Sequence, residues 1–185
     1  MFNSIIFSPV AVAVYVTVIF SVFSPIGLGS MDTITSIIFG VMFLSFFPII
    51  AICLDSENLK DWDISEKEKR IKPYAISIIS YISASVIFWF SGNYVMFLIS
   101  ISYVTVASTM FLINPFWKIS AHTSGIAGPV TSLVYVFGLG IAPLYLLLLP
   151  VAYSRYKLNS HDLLQLLAGA LLGIFIAYFT YFILW

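Results

Sequence analysis

The chain has 185 residues, of which 61% are hydrophobic and 9% charged, and its eight basic and eight acidic residues cancel. A water-soluble domain carries about 25% charged residues, so this composition, with a mean hydropathy of +1.07, excludes a chain that faces water on all sides. The length suits six or seven membrane spans of about 20 residues each.

Seven hydrophobic segments are predicted, over about 5–24, 33–54, 73–91, 94–113, 121–139, 141–154 and 161–184. In lipid each backbone polar group must be paired within its own segment, so helices are expected. Strict apolar–polar alternation, the mark of a membrane barrel, is absent from the sequence. The expected fold is an all-α, polytopic transmembrane helical bundle forming a single membrane domain over 1–185. It divides into two N-terminal spans (1–54), a hydrophilic loop (55–72) and a core (73–185). The first segment lacks a basic leader and a small-residue cleavage site, and reads as a retained span. Prolines at 9, 48, 129, 143 and 150 fall in or near spans and are expected to kink them, and the sixth segment is short. Cys53 is the only cysteine, so an intrachain disulfide is excluded.

Parity sorts the connections. With seven spans, one face receives the N-terminus and the connections near 55–72, 114–120 and 155–160. The other receives those near 25–32, 92–93 and 139–140, and the C-terminus. All eight basic residues fall on the first face: Lys60, Lys67, Lys69, Arg70, Lys72, Lys118, Arg155 and Lys157. The second face holds none, and Asp32 is its one acidic residue. Trp62 and Trp117 lie near the first interface, Trp89 and Trp185 near the second, as an aromatic belt requires. The positive-inside rule then assigns the basic face to the cytoplasm. In the hydrophilic loop, Ser65 and Glu68 have capping-box spacing for a short helix, on which Lys67 and Arg70 share a face.

The chain has two histidines, His122 and His161. Parity returns both to the basic face. A lone histidine at a span end is ordinarily an interfacial residue; two on one face beside arginine and lysine point to phosphate chemistry. Phosphoryl transfer needs cations around the equatorial oxygens, a nucleophile in line and an acid for the leaving oxygen. Imidazole suits both catalytic roles, nucleophile and acid, because its ordinary pKa is near neutrality. Ser120, Ala121 and His122 open the fifth segment, where unpaired backbone N–H groups attract anions. Gly169 and Gly173 have the spacing of a close helix–helix contact, and Gly125 and Gly128 suggest another. Lys118 and Lys157 read as topology anchors.

Ser154-Arg155, a five-residue gap and His161, followed by Gln165-Leu-Leu-Ala-Gly169, and the earlier Ile119-Ser120-Ala121-His122, resemble two motifs of the type 2 phosphatidic acid phosphatase superfamily, which also holds the vanadium haloperoxidases. Those motifs are Ser-Arg-x5-His-x3-Asp and Pro-Ser-Gly-His. The family's first motif, Lys-x6-Arg-Pro, is represented only by Lys72-Pro73, or by Lys67, Arg70 and Pro73. The resemblance spans about 55–180. It implies an integral membrane lipid phosphatase acting on a lipid phosphate or diphosphate, either a polyprenyl diphosphate or a glycerolipid phosphate, with no nucleic-acid partner. His161 would form a phosphohistidine and His122 would protonate the leaving oxygen. Arg155, Ser120, the Ala121 amide and Lys67, Arg70 or Lys72 would hold the phosphate, without metal or other cofactor. Gln165 stands where the family has Asp. It can orient the ring through its amide oxygen but supplies no negative charge. Weakened catalysis, or a silent member that binds lipid phosphate or serves a membrane complex, is therefore the alternative expectation. A metal-dependent lipid transferase using Asp55, Asp61 and Asp63 is a third reading, and a transporter is disfavoured because the spans hold almost no midplane ionisable residues.

Overall fold

The computed structural model describes residues 6–55 and 68–185, and their regular elements are all helical, with no strand among the described residues. Most helix starts carry a side-chain oxygen that satisfies an orphan N–H of the first turn. Ser8 and Pro9 open α1 (Pro9–Phe23), the Ser8 hydroxyl accepting from the Ala11 N–H. Asp32 caps α2 (Thr33–Val41). The chain continues through a π-helical turn (Met42–Phe46) into α3 (Phe47–Asp55). A short 3-10 turn (Glu68–Arg70) leads into α4 (Ile71–Ser91), which starts two residues ahead of Pro73 and ends on Gly92 in the left-handed region. Asn93 caps α5 (Tyr94–Ile113) and Ser120 caps α6 (Ala121–Phe137). A 3-10 stretch (Leu139–Leu147) precedes α7 (Leu148–Lys157), and Asp162 caps α8 (Leu163–Leu184).

Five segments are long and apolar enough to cross a membrane: Thr33–Leu54, Ile71–Ser91, Tyr94–Ile113, Leu139–Lys157 and Leu163–Leu184. At 15 and 17 residues, α1 and α6 are shorter than these. The sixth predicted segment is longer than its sequence pattern suggested, reaching Lys157, and its first half winds as a 3-10 helix with a greater rise per residue. The inner helix is α6, whose residues from His122 to Leu133 are all buried. Its small residues, among them Gly125, Ala127 and Gly128, let neighbours pack around it. By contrast α2 turns Ile34 and Ile38 outward, where lipid would cover them.

Two local irregularities have clear causes. Pro48 lacks the N–H that an α-helix would direct at the Leu44 carbonyl, and its ring crowds that carbonyl. The helix opens just before it into the π-helical turn, where the Phe47 N–H reaches back to the Met42 carbonyl. At the opposite end of the bundle, Gly29 has φ +64 and a Cβ there would lie 2.1 Å from the Ser91 carbonyl oxygen. Only glycine permits that approach, which the Ser30 N–H secures by donating to the same carbonyl at 2.7 Å.

The core runs through Phe20, Ala84, Phe88, Val95, Met96 and Ile99, on α1, α4 and α5, and Ile126 and Val130 extend it onto α6. What positions the histidines is the pairing of α6 with α8. The two helices run parallel, with Ser120 beside Gln165 at one end and Tyr135 beside Tyr181 at the other. Gly169 and Gly173 make this possible: a Cβ would lie 2.4 Å from the Ser120 carbonyl oxygen at the first, and 2.7 Å from that of Ser124 at the second. The expected glycine contact is therefore present between these helices. Gly125 serves a different neighbour, since a Cβ there would meet Pro9 at 2.7 Å and push α1 away.

Candidate functional site

Because α6 and α8 run parallel, their N-termini open on one rim of the bundle. Ser120 caps α6 by accepting from the Thr123 N–H at 3.4 Å, and its own N–H donates to the Gln165 carbonyl at 3.2 Å. The Thr123 hydroxyl donates across to the Leu166 carbonyl at 2.9 Å. His122 on α6 is thus held in fixed register with the first turn of α8. The connection from α7 to α8 is pinned as well. Asn159 takes φ 53, the Ser160 N–H donates to the Arg155 carbonyl at 3.1 Å, and Lys118 donates to the Ser160 carbonyl at 3.0 Å. Lys118, expected as a topology anchor, ties the α5–α6 connection to the one that carries His161.

The side chains at this rim are buried to an extent unusual for their chemistry. Arg155 is fully buried, and His122, His161, Ser120 and Arg70 are each at most 5% exposed. Arginine is almost never buried without acceptors around it, and here two buried guanidinium groups share one rim with two buried imidazoles. The N-termini of two helices add favourable dipoles for negative charge.

The geometry around His161 fixes its proton. Gln165 Oε1 lies 3.0 Å from His161 Nδ1 and also accepts the Asp162 N–H at 3.3 Å. A backbone N–H can only donate, so the amide must turn its oxygen, not its NH2 group, toward both partners. Nδ1 then has to carry a hydrogen, and in the neutral ring the lone pair falls on Nε2. Gln165 completes the arrangement as the third residue of α8, its N–H donating to Asp162 Oδ1 at 2.8 Å in a reciprocal capping box. Asp162 is exposed and engaged as the cap, so it does not replace the carboxylate that Gln165 lacks.

A half-open cleft descends from this rim between α1, α3, α4, α5 and α6. Arg70, Ala121 and His122 line its mouth; Arg155, Ser120 and His161 do not line it. The predicted site residues therefore fall into two adjoining groups, one on the cleft and one in the α7–α8 corner, joined through Ser120-Ala121-His122. Lys72 is exposed on α4 and lines no part of the cleft. Lys67, Asp61, Asp63 and the Ser65 cap lie outside the described residues. Among the described residues no cluster of three or more His, Cys, Asp or Glu side chains has the arrangement of a metal site.

Sequence reasoning missed Thr123, whose hydroxyl bridges α6 to α8, and the cleft itself. Neither has a local signal: a threonine in the first turn of a helix reads as filler until the neighbouring helix is known. No known protein family, curated protein or solved structure matches the chain.

Proposed function

We propose that the protein is an integral membrane lipid phosphatase that uses a phosphohistidine at His161. The chain then crosses the membrane seven times, with α1 and α6 added to the five long spans. The observation that carries the reading is the His161–Gln165–Asp162 arrangement, which in the neutral ring places the lone pair on Nε2, on the connection that follows the last turn of α7 and its buried Arg155. In the reaction, Nε2 attacks the phosphorus, the P–O bond to the lipid breaks, and His122 delivers a proton to the departing alkoxide. Water, giving a proton to His122, then attacks the phosphorus of the phosphohistidine; the P–N bond breaks, releasing inorganic phosphate and restoring both histidines. Arg155, Arg70 and the Ser120-Ala121 turn balance the charge on the phosphoryl oxygens. The basic residues at this rim, from Lys69 and Arg70 to Lys118, Arg155 and Lys157, favour a cytoplasmic site by the positive-inside rule.

Purified protein in detergent is tested against a panel of lipid phosphates and diphosphates, with and without EDTA. The expected result is EDTA-resistant phosphate release that disappears in His161→Ala. Equal release by that variant would remove His161 as the nucleophile.

Gln165 favours one second reading, a silent member of the same superfamily that binds lipid phosphate without turning it over. Under that reading the wild-type protein binds a non-hydrolysable lipid phosphonate and releases no phosphate from the matching phosphate.

A further inference from the structure

The cleft has a bottom. Below its polar mouth it is lined by apolar or small side chains, among them Val10, Pro48, Val106 and Ala107. It ends at Tyr81 on α4 and Tyr103 on α5, whose rings lie 5.2 Å apart and tilted by 44°. Both tyrosines are more than nine-tenths buried. The Tyr103 hydroxyl has no hydrogen-bond partner among the described residues. From Arg70 to Tyr81 the helical rise is roughly 16 Å. That is about half of a hydrocarbon core some 30 Å thick, the depth of a single leaflet.

We infer that the cleft holds one hydrocarbon chain of a lipid phosphate, and that the Tyr81–Tyr103 ring pair is the floor that limits the length of chain accepted. The inference rests on the lipid phosphatase reading and narrows its substrate to lipids with a leaflet-length chain rather than a long polyprenyl tail. The occupant follows from the lining. An anionic head fits the mouth, where the buried Arg70 lies beside His122 and the first turn of α6, and an alkyl chain fits the apolar walls. A chain that passes the floor must displace two packed rings. A chain that stops short leaves apolar wall uncovered, and each missing methylene then forfeits about a fourfold gain in affinity.

The experiment is a series of saturated n-alkyl monophosphates of roughly 8 to 20 carbons, spanning the leaflet depth, measured by phosphate release and, with the matching alkyl phosphonates, by thermal stabilisation of the detergent-purified protein. The expected kcat/KM climbs with chain length and then stops climbing. Tyr103→Ala moves the limit to longer chains, Ala107→Phe moves it to shorter ones, and Tyr103→Phe leaves it in place. The opposite directions separate a moved floor from damage to the fold, because misfolding cannot create turnover of a longer chain. A limit that none of the variants moves, or undiminished turnover of a long polyprenyl phosphate, overturns the inference. Phosphonate binding that shows the same movable limit without any phosphate release keeps the floor and overturns the phosphatase reading.

Discussion

The amide oxygen of Gln165 stands 3.0 Å from His161 Nδ1 while the Asp162 N–H donates to that same oxygen. The backbone donor decides the orientation of the amide, and the amide decides the tautomer of the ring. A neutral side chain thereby performs half of what a carboxylate does: it selects the tautomer, but it does not stabilise an imidazolium. Substituting Glu at this position retains both acceptor contacts and adds the charge. Gln165→Glu is expected to raise kcat by about tenfold, corresponding to ~1.4 kcal/mol of barrier. Gln165→Leu removes the tautomer control, and in a Ser-His-Asp enzyme the comparable loss costs about 10⁴ in rate. Steady-state phosphate release by the two variants tests both expectations; a Glu variant slower than wild type would contradict the role given to the amide.

His122 is assigned to the leaving group, so its importance should depend on how good that group is. With an alkyl phosphate, His122→Ala is expected to lose about 10²–10⁴ in kcat. With p-nitrophenyl phosphate, whose phenolate departs without a proton, most of that loss should vanish. His161→Ala should lose activity on both substrates. A loss at His122 that is equal for the two leaving groups would assign that residue to binding instead.

The α6–α8 contact carries both histidines and tolerates no side chain at Gly169. Gly169→Ala places a methyl group against the Ser120 carbonyl and the Thr123 hydroxyl. The crowding is expected to cost about 1–3 kcal/mol, partly offset by the better helix propensity of alanine, about 1 kcal/mol. The melting temperature in detergent should fall by a few degrees, and activity should fall further than stability because the register of His122 against His161 changes. Unchanged melting would show that the two helices can separate without strain.

At the other rim Asp32 caps α2, accepting the Thr35 N–H at 3.0 Å and the Thr35 hydroxyl at 2.7 Å. These bonds, the hydroxyl's first, hold its carboxyl below the ordinary value of 3.8. A carboxyl depressed by folding stabilises the folded state above its unfolded pKa and loses that contribution as pH falls through its folded value. The melting temperature should therefore drop below about pH 3.8, and Asp32→Asn should lessen that drop. The contrast between wild type and variant across an acid series measures it.

Much of the architecture was legible in the chain. Hydropathy located the helical segments because a lipid environment demands long apolar runs. Gly169 with Gly173 marked a close helix contact because few other reasons place two small residues one turn apart on an apolar helix. His161 and Gln165 were readable together, since four residues on a helix return to one face. The hydrophilic loop was less informative, and Lys67 and the Ser65 cap lie outside the described residues.

By itself the sequence determined that the chain belongs in a membrane, that its elements are helices, and that the cations among its described residues gather at one rim, because each of these follows from composition and from order along the chain. Tertiary structure alone decided that α6 and α8 lie parallel and in contact, that Lys118 secures the turn before His161, and that a cleft leads from His122 to Tyr81 and Tyr103. Those relationships depend on which faces meet across different helices, and no local pattern of residues specifies that.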